Sequence, residues 1–477
     1  MSMQSQVKDS KTLPVKYPNL VAWENVKQER WEGELEVDGH IPHWLNGTYL
    51  RNGPGMFDIG DYKSKSLFDG YATLVRLHFE NGRLTGGHAQ LQSDAYKAVK
   101  KNNNIYHREF STLPKPSNIF KAIGNVVGML SGALVTDNAI ISVIRLGDGR
   151  VVCLTETKKG SLEIDPKTLE TIGTFKYTDN IRGPTQSGHP MVFDKELITV
   201  LPDFINRGYN VIRMLAGTNE RTLIGRVNCK SSPTPGWVHS FAVTDNYVVV
   251  PEMPMKYAPY NMLKGGLLKW HPESKAFIHI IRKETGETVA SVEVPPFMTF
   301  HFINAYEEKG MNSVIVDCCE HNANPTIFDK LHLHELRSFT GKDVLPHSRI
   351  GRFTIPLDGS PRGKLETAMP PEEHGRAIDM CTINPIYRGK MYRYIDLKEK
   401  TEKSNWHLGG SIPSEPIFIG RPGAEVEDDG VVISLVSDKD GNGFALVLDG
   451  STFAEIARAK LPYGLPYGLH GCWVPSP

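Results

Sequence analysis

Short apolar runs separated by polar turns dominate this chain from Trp23 onward. Runs rich in Val, Ile, Phe and Tyr recur about every ten residues, which predicts an all-β sandwich, barrel or propeller. Asp-Gly or Gly-Asn pairs, which supply the positive φ that tight hairpins need, occur between many of these runs. Such turns are "GDGR" (147–150), "LDGS" (357–360), "EDDG" (427–430), "KDGNG" (439–443) and "LDGS" (448–451).

Three segments depart from the strand pattern. Residues 117–134 carry apolar side chains at helical spacing after a capping Ser117 or Asn118. Residues 255–270 and 325–339 are further candidates for helices or long insertions. We expect such apolar insertions to cover one face of the β-structure. The apolar side chains of the first segment are Ile119, Phe120, Ile123, Val126, Val127 and Leu130.

Length and composition restrict the class of protein. The 477 residues show no composition shift after a polar start, so we expect a flexible arm at 1–20 and a single domain at 21–477. Lys+Arg and Asp+Glu both total 54, which argues against nucleic-acid binding. The six cysteines form no CxxC pair and suit a reducing compartment. The first residues lack the apolar core of a signal peptide, so we expect either the cytosol or a targeting segment missing from this sequence.

Four histidines are the main candidates for chemistry. They lie in apolar or Gly/Pro-rich runs: "QSGHPMVF" (His189), "PGWVHSFAV" (His239), "FMTFHFINA" (His301) and "YGLPYGLHGCW" (His470). Their separations of 50, 62 and 169 residues match no local metal motif. They can meet only if the fold brings distant strands to one axis, as a β-propeller does. Four neutral imidazoles suit a redox metal such as Fe(II), with positions left open for O2.

Strand periodicity predicts how the neighbours of two histidines are arranged. In "GWVHSF", Trp237, His239 and Phe241 share one face. In "MTFHFI", Thr299, His301 and Ile303 share a face, with Phe300 and Phe302 on the other.

Three carboxylates lie in apolar runs: Glu156, Asp379 and Glu415. A buried carboxylate is costly unless it is paired. A metal-bound imidazole normally donates its second N–H to a carboxylate or carbonyl, so a histidine ligand is a natural partner.

Each of these residues also has a purely structural interpretation. Most histidines are surface or hydrogen-bonded core residues, and carboxylates often serve hairpins or caps. We interpret His332 and His334 as surface residues of a predicted helix, and Cys318 and Cys319 as buried packing. An apolar stripe such as 117–134 more often faces a core than a membrane. These patterns alone therefore leave the metal-binding propeller beside its alternatives.

Longer motifs resemble the carotenoid cleavage dioxygenase family. They are "IPHWLNGTYLRNGPGMF", "FDGYATLVRLHF", "GWVHSFAVT", "EVPPFMTFHFINAYE", "SEPIFIGRPGAEVEDDGVVIS" and "GLPYGLHGCWVPSP". "YVVVPEMP", "WHPESKAF", "FTGKDVLP" and "TIPLDGSP" resemble its plant carlactone synthase branch, which acts in strigolactone biosynthesis. The similarity runs from about Ala22 to the C-terminus.

The resemblance implies a seven-bladed β-propeller with Fe2+ on its axis. It assigns the iron ligands to His189, His239, His301 and His470, with no catalytic residue beyond the metal centre. It places the supporting carboxylates at Glu156, Glu415 and Asp379. Many family members have Glu at the last position, so we expect Asp379 to reach its histidine less directly, through water.

The resemblance also implies an activity and a setting. The activity is cleavage of one conjugated C=C bond of an apocarotenoid with O2, in this branch of 9-cis-β-apo-10'-carotenal to carlactone. The apolar segment 117–134 corresponds to a membrane-docking patch, and the setting is a monomeric plastid enzyme in peripheral contact with a membrane. Alternatives are a stilbenoid-cleaving dioxygenase, a retinoid isomerohydrolase of the same fold, or a propeller that binds without catalysis.

Two segments depart from the branch. The stretch between Tyr394 and Asn405 is shorter than in carlactone synthases and lacks a strand, and the segment at 265–267 also looks short. We expect a shortened blade to lower stability or to reshape the substrate tunnel.

Overall fold

The chain is mostly β-structure. The computed structural model describes residues 20–114, 124, 135–157, 160–181, 183, 185–258, 266–338, 348–369, 379–392, 406 and 408–476. Within these ranges there are 32 strands and few helices, and the pairs of named strands are antiparallel. The mostly-β fold predicted from the sequence is therefore confirmed.

Two six-stranded sheets join the beginning of the chain to its end. One has the order β1-β8-β7-β3-β32 with β4 paired to β7, and the other the order β2-β31-β30-β29-β27 with β28 paired to β29. The first contains β1 (Arg30–Glu34), β3 (Gly47–Arg51), β4 (Pro54–Met56), β7 (Tyr71–Glu80), β8 (Arg83–Gln90) and β32 (Gly471–Pro475). The second contains β2 (Val37–Gly39), β27 (Ile412–Pro413), β28 (Ile417–Gly420), β29 (Gly430–Ser437), β30 (Gly443–Asp449) and β31 (Glu455–Lys460).

Four further sheets each have four strands that follow one another along the chain, with one hairpin inserted in the third. The first two comprise β9 (Ser142–Arg145), β10 (Val151–Leu154), β11 (Leu162–Ile164) and β12 (Thr171–Thr174), then β13 (Met191–Val192), β14 (Glu196–Asp203), β15 (Gly208–Leu215) and β16 (Arg221–Asn228). The last two comprise β17 (Ala242–Val243), β18 (Tyr247–Glu252), β21 (Ala276–Arg282) and β22 (Thr288–Val294), then β23 (Thr299–Glu308), β24 (Ser313–Glu320), β25 (Arg349–Pro356) and β26 (Lys364–Met369).

The remaining elements are short. Two hairpins are formed by β5 (Asp58–Ile59) with β6 (Tyr62–Lys63), and by β19 (Met255–Tyr257) with β20 (Leu268–Trp270). Among the described residues, α-helices span Asp94–Asn102, Ile327–Lys330 and Leu333–Ser338, and 3-10 turns span Leu20–Trp23, Leu67–Asp69, Lys309–Met311 and Pro385–Tyr387. Among the described helices, none has both the length and the hydropathy needed to cross a bilayer.

Several glycine turns expected from the sequence connect these strands. Gly149 has φ +92° between β9 and β10, Gly359 has φ +89° between β25 and β26, and Gly441 has φ +84° between β29 and β30. A β-carbon is strained at such angles, so these positions favour glycine. The Asp-Gly and Gly-Asn pairs therefore mark hairpins, as predicted.

The three predicted apolar insertions have different outcomes. Residues 255–270 begin and end in the paired strands β19 and β20, so a helix over the whole segment is wrong. Residues 325–339 contain two short helices instead of a single one. Ile119, Phe120, Ile123, Val126, Val127 and Leu130 lie outside the described residues, as do residues 1–19 and most of the shortened stretch after Tyr394.

Candidate metal centre

Each of the four histidines lies at or just before the edge strand of a different sheet. His189 precedes β13, His239 precedes β17, His301 lies near the start of β23, and His470 directly precedes β32. Strand β17 contacts β23, so two of these edges lie side by side. Distant parts of the chain therefore present their imidazoles to one point.

The four imidazoles converge. One ring nitrogen from each histidine lies within 4.8 Å of the others. The Nε2 atoms of His189 and His239 are 3.1 Å apart, and the centroids of the His189 and His470 rings are 4.3 Å apart. The structure thus brings together all four histidines that the sequence predicted.

Glu156 orients His239. Its Oε1 lies 2.5 Å from His239 Nδ1, and its Oε2 accepts a hydrogen bond of 3.2 Å from Trp237 Nε1. Two hydrogen-bond donors thus hold the Glu156 carboxylate. The His239 ring is oriented so that its Nε2 points toward the other three histidines.

Asp379 contacts two histidines. Its Oδ1 lies 2.5 Å from His301 Nδ1, and its Oδ2 lies 3.0 Å from His321 Nε2. The water-mediated contact expected for this shorter side chain is therefore wrong. The backbone at Asp379 lies close enough for direct contact, and its own carboxylate also accepts from the Met380 N–H at 2.8 Å.

Glu415 supports His470. Its Oε1 lies 2.7 Å from His470 Nδ1, and its Oε2 accepts from the Gly471 N–H at 3.0 Å. Arg51, only 1% exposed, donates to the backbone carbonyls of Leu469 and Glu415 on either side of this contact. Two chain segments that carry the site are therefore joined by one buried guanidinium.

Sequence reasoning missed Arg51 and His321. Arg51 lies in the run "GTYLRNG", and a charged side chain in such a run is costly to bury unless it is paired. The same cost of burial singled out the three carboxylates and could also have identified Arg51 as a residue with a buried partner. His321 follows β24 in "CCEHNANP", and the local sequence gives no sign that it faces Asp379.

The electrostatics favour a neutral imidazole at His189 and ionised carboxylates at Asp379 and Glu415. Burial and the neighbouring histidines hold the pKa of His189 well below its usual value. Burial raises the pKa of the Asp379 carboxyl, but His301 and His321 outweigh it, and the net pKa lies below the usual range. The pKa of Glu415 is lowered in the same way by His470 and Arg51 against the effect of burial.

This arrangement suits a metal ion. A carboxylate accepts a hydrogen bond from the Nδ1–H of His239, His301 and His470, which leaves an Nε2 lone pair on each ring. His301 Nε2 is buried without a hydrogen-bond partner among the described residues. Converging lone pairs repel one another unless a cation lies between them, and imidazole is a good ligand for iron, copper, zinc or nickel.

A cavity of about 640 Å³ opens beside the centre. His239, His301 and His470 lie in its wall, together with Glu156 and Asp379. Much of the remaining wall is apolar, with contributions from Leu67, Phe68, Phe110, Ile140, Ile141, Trp237, Phe300, Phe328 and Leu331. A long apolar molecule in this cavity would lie against three of the four imidazoles.

Simple strand alternation predicts the neighbours of the histidines only in part. The pairing of β23 with β24 shifts register between Thr299 and Phe302, so Phe300 and His301 both reach the cavity wall. A β-bulge of this kind redirects consecutive side chains, which makes the predicted separation of their faces wrong. Phe241 is fully buried in a different core cluster, so it does not share the cavity with Trp237 and His239.

The secondary candidates lie elsewhere. His332 is partly buried and His334 exposed, with ring centroids 5.7 Å apart. Cys318 and Cys319 are buried free thiols, as expected from packing. The Sγ atoms of Cys319 and Cys381 lie 3.4 Å apart.

Comparison with known proteins finds relatives along almost the whole chain. The family model described as RPE65, retinal pigment epithelial membrane protein, matches residues 23–475. The chain is 57% identical to carotenoid cleavage dioxygenase 8 homolog B, chloroplastic, of Oryza sativa subsp. japonica, over 96% of this chain and 85% of that protein. It is also 57% identical to carotenoid cleavage dioxygenase 8, chloroplastic, of Arabidopsis thaliana, over 96% and 86%.

The fold has a solved counterpart. A variant of the apocarotenoid oxygenase of Synechocystis superposes with a TM-score of 0.79 at 23% identity, covering 96% of this chain and 98% of that one. The chain belongs to the RPE65 family of carotenoid oxygenases. Within it, the chain is an enzyme of the carotenoid cleavage dioxygenase class, as the resemblance implied. The chloroplastic relatives support the plastid location expected from that resemblance.

Proposed function

We propose that this chain is an Fe2+-dependent dioxygenase that cleaves one conjugated C=C bond of an apocarotenoid. One observation carries the proposal. Four imidazoles, three of them held by carboxylates, converge at the wall of an apolar cavity. An apolar polyene can lie in such a cavity, and a set of neutral nitrogen donors suits a ferrous ion.

His189, His239, His301 and His470 would hold the iron. Iron in this setting supplies the activation of O2 that a closed-shell polyene does not achieve alone. The ring nitrogens of these four histidines converge, and His301 Nε2 is buried without a hydrogen-bond donor among the described residues. A cation between the rings would satisfy their lone pairs.

The other residues act by positioning. Glu156, Asp379 and Glu415 keep a proton on Nδ1 of their histidines and fix the ring orientation. The aromatic wall around Trp237 and Phe300 excludes water and seats the polyene with one double bond beside the centre. The cleavage step consumes one O2 for each C=C bond broken, and each new carbonyl receives one oxygen atom. Conversion to carlactone takes up a second O2.

The substrate we infer is 9-cis-β-apo-10'-carotenal, converted to carlactone in strigolactone biosynthesis. The relatives named carotenoid cleavage dioxygenase 8 support this branch. We further infer a monomer in which residues 21–477 form a single seven-bladed propeller. Six sheets of four or six strands among the described residues support a propeller architecture, and four of these sheets each carry one histidine at or just before an edge strand. Peripheral membrane contact through 117–134 would deliver the apolar substrate.

Product analysis under labelled oxygen tests the function. Purified protein loaded with Fe2+ is incubated with 9-cis-β-apo-10'-carotenal under ¹⁸O2, and products are identified by mass spectrometry. We expect cleavage products, carlactone among them, that carry ¹⁸O. A stilbene and a retinyl ester are run in parallel.

The other outcomes separate the alternatives. Cleavage of the stilbene alone would point to a stilbenoid dioxygenase, and release of a retinol without ¹⁸O to an isomerohydrolase. Iron binding with no turnover of any of these compounds would leave a binding propeller and refute the proposal.

A further inference from the structure

Arg108 is a buried cation in the wall of the substrate cavity. It lines the cavity together with Glu109, Phe110 and Val135, and the residue is 6% exposed. Its Nε and Nη2 atoms are buried and have no hydrogen-bond partner among the described residues. A buried guanidinium with unused donors is costly, so its presence here calls for an acceptor that the described chain does not supply.

The nearby carboxyls of Asp69 and Glu109 raise the pKa of Arg108 against the effect of burial, but neither accepts a hydrogen bond from its Nε or Nη2. Asp69 is already used by Ser111 N at 2.6 Å, Thr112 Oγ1 at 2.6 Å and Ser66 N at 3.1 Å. Glu109 accepts from Thr136 Oγ1 at 3.0 Å. Burial raises the pKa of Glu109 to about 8, so near neutral pH much of it carries no charge to balance Arg108.

The position of Arg108 is fixed by its backbone. Arg108 forms a parallel bridge with Val135, and the Glu109 N–H donates to the Thr112 carbonyl at 3.0 Å. The backbone that carries Arg108 is therefore held beside the cavity by hydrogen bonds on both sides.

Aromatic rings connect this part of the cavity to the histidine centre. Phe110, two residues after Arg108, lies 5.4 Å from Phe68 between ring centroids. Phe68 lies 6.4 Å from Phe300, which lies 5.8 Å from His239. A polyene could follow these rings from the centre toward the Arg108 segment.

We propose that Arg108 donates hydrogen bonds to the terminal oxygen of the substrate, and so selects apocarotenoid aldehydes over hydrocarbon carotenes. The inference rests on the proposed function and adds to it a residue that recognises the polar end of the substrate. Since apolar contacts let a polyene slide along the cavity, one charged donor at a fixed place also selects which double bond lies at the centre.

A ligand series in the wild-type holoenzyme tests the proposal first. Binding of 9-cis-β-apo-10'-carotenoic acid and of the corresponding alcohol is measured by quenching of tryptophan fluorescence. A carboxylate forms a stronger bond to a guanidinium than an alcohol does, so we expect the acid to bind roughly 10-fold or more tightly. Equal affinity for acid and alcohol would overturn the proposal, whether or not the enzyme turns over an apocarotenal.

Arg108→Met and Arg108→Lys then locate the effect. For Arg108→Met we expect KM for the apocarotenal to rise roughly 10-fold or more, with a smaller change in kcat. The preference for the acid disappears while iron per chain stays at the wild-type level. Arg108→Lys keeps a cation and restores part of the preference. Arg83→Met is the control, because Arg83 forms an exposed ion pair with Glu34.

Three outcomes are distinguishable. Unchanged KM and an unchanged acid preference in Arg108→Met, at normal iron content, would refute the role of Arg108. If Arg108→Met fails to fold, Arg108→Lys and the wild-type ligand series still decide. A wild-type enzyme that prefers the acid but cleaves no apocarotenoid would refute the proposed function and leave the Arg108 contact standing.

Discussion

At the residue scale, hydrogen bonds to carboxylates set the direction of the imidazoles. Glu156, Asp379 and Glu415 each lie within 2.7 Å of the Nδ1 atom of a different histidine. An imidazole that donates from Nδ1 keeps its Nε2 lone pair for a cation. The direct contact of Asp379 shows that side-chain length alone does not determine reach, because the backbone position decides how far the carboxyl must extend.

Removing a single imidazole should remove the metal. For His239→Ala and His301→Ala we expect loss of both bound iron and cleavage, since each substitution deletes one of four donors and removes one of the two side-chain partners of a carboxylate. Iron per chain is measured by elemental analysis and cleavage by loss of the polyene absorbance. His332→Ala is the control, because His332 lies outside the centre. Full cleavage by a metal-depleted His239→Ala protein would refute the assignment.

At the element scale, edge strands deliver the histidines and irregularities adjust them. The register shift near the start of β23 turns both Phe300 and His301 to the cavity, which regular alternation would prevent. Residues 255–270 show that an apolar run does not by itself predict a helix, because the two ends of this segment pair as strands β19 and β20. A run of apolar residues fits a buried strand as well as a helix, and only the available partner strand decides.

The apolar segment 117–134 gives a prediction at this scale. If its helical spacing forms a membrane-docking face, replacing both Ile123 and Val127 with Glu should reduce binding to phosphatidylcholine liposomes, because charged side chains are costly to insert among lipid chains. Co-sedimentation measures the bound fraction. Asn125→Glu is the matched control, since helical spacing places Asn125 opposite the apolar stripe. Unchanged binding of the double variant would return this segment to a core role.

At the scale of the whole molecule, one small centre connects distant parts of the chain. His189, His239, His301 and His470 belong to segments next to four different sheets. The sheet that contains β32 also pairs β3 with the end of the chain, so His470 is tied to an early strand through Arg51 as well as through the ladder. A metal ion bound by all four histidines would therefore bind only the folded chain, in which the four sheets are assembled.

Metal binding should consequently stabilise the molecule. A ligand that binds only the folded state at 100 times its Kd adds about 2.7 kcal/mol to the free energy of unfolding. We expect removal of iron with a chelator to lower the Tm and re-addition of Fe2+ to restore it, as measured by differential scanning calorimetry. In His239→Ala the Tm should not respond to iron. Equal Tm values for metal-free and iron-loaded wild-type protein would contradict a centre shared by four sheets.

The sequence by itself determined the class of structure and the residues with unusual chemistry. Alternating apolar runs and Asp-Gly turns require strands and hairpins, since their periodicity and backbone angles are local properties. Histidines and carboxylates in apolar runs likewise stand out locally, because burying them without partners is costly. Family motifs added the expectation that the four histidines bind iron.

Only the tertiary structure decided which groups meet and in what geometry. The pairing of Asp379 with both His301 and His321, the contacts of Arg51, and the separation of Phe241 from the cavity all depend on segments far apart in the chain. The same holds for Arg108, whose unused donors become evident only once the cavity wall and the saturated Asp69 are in place. The physical reason is that hydrogen bonding and burial are properties of three-dimensional neighbours, which spacing along the chain does not specify.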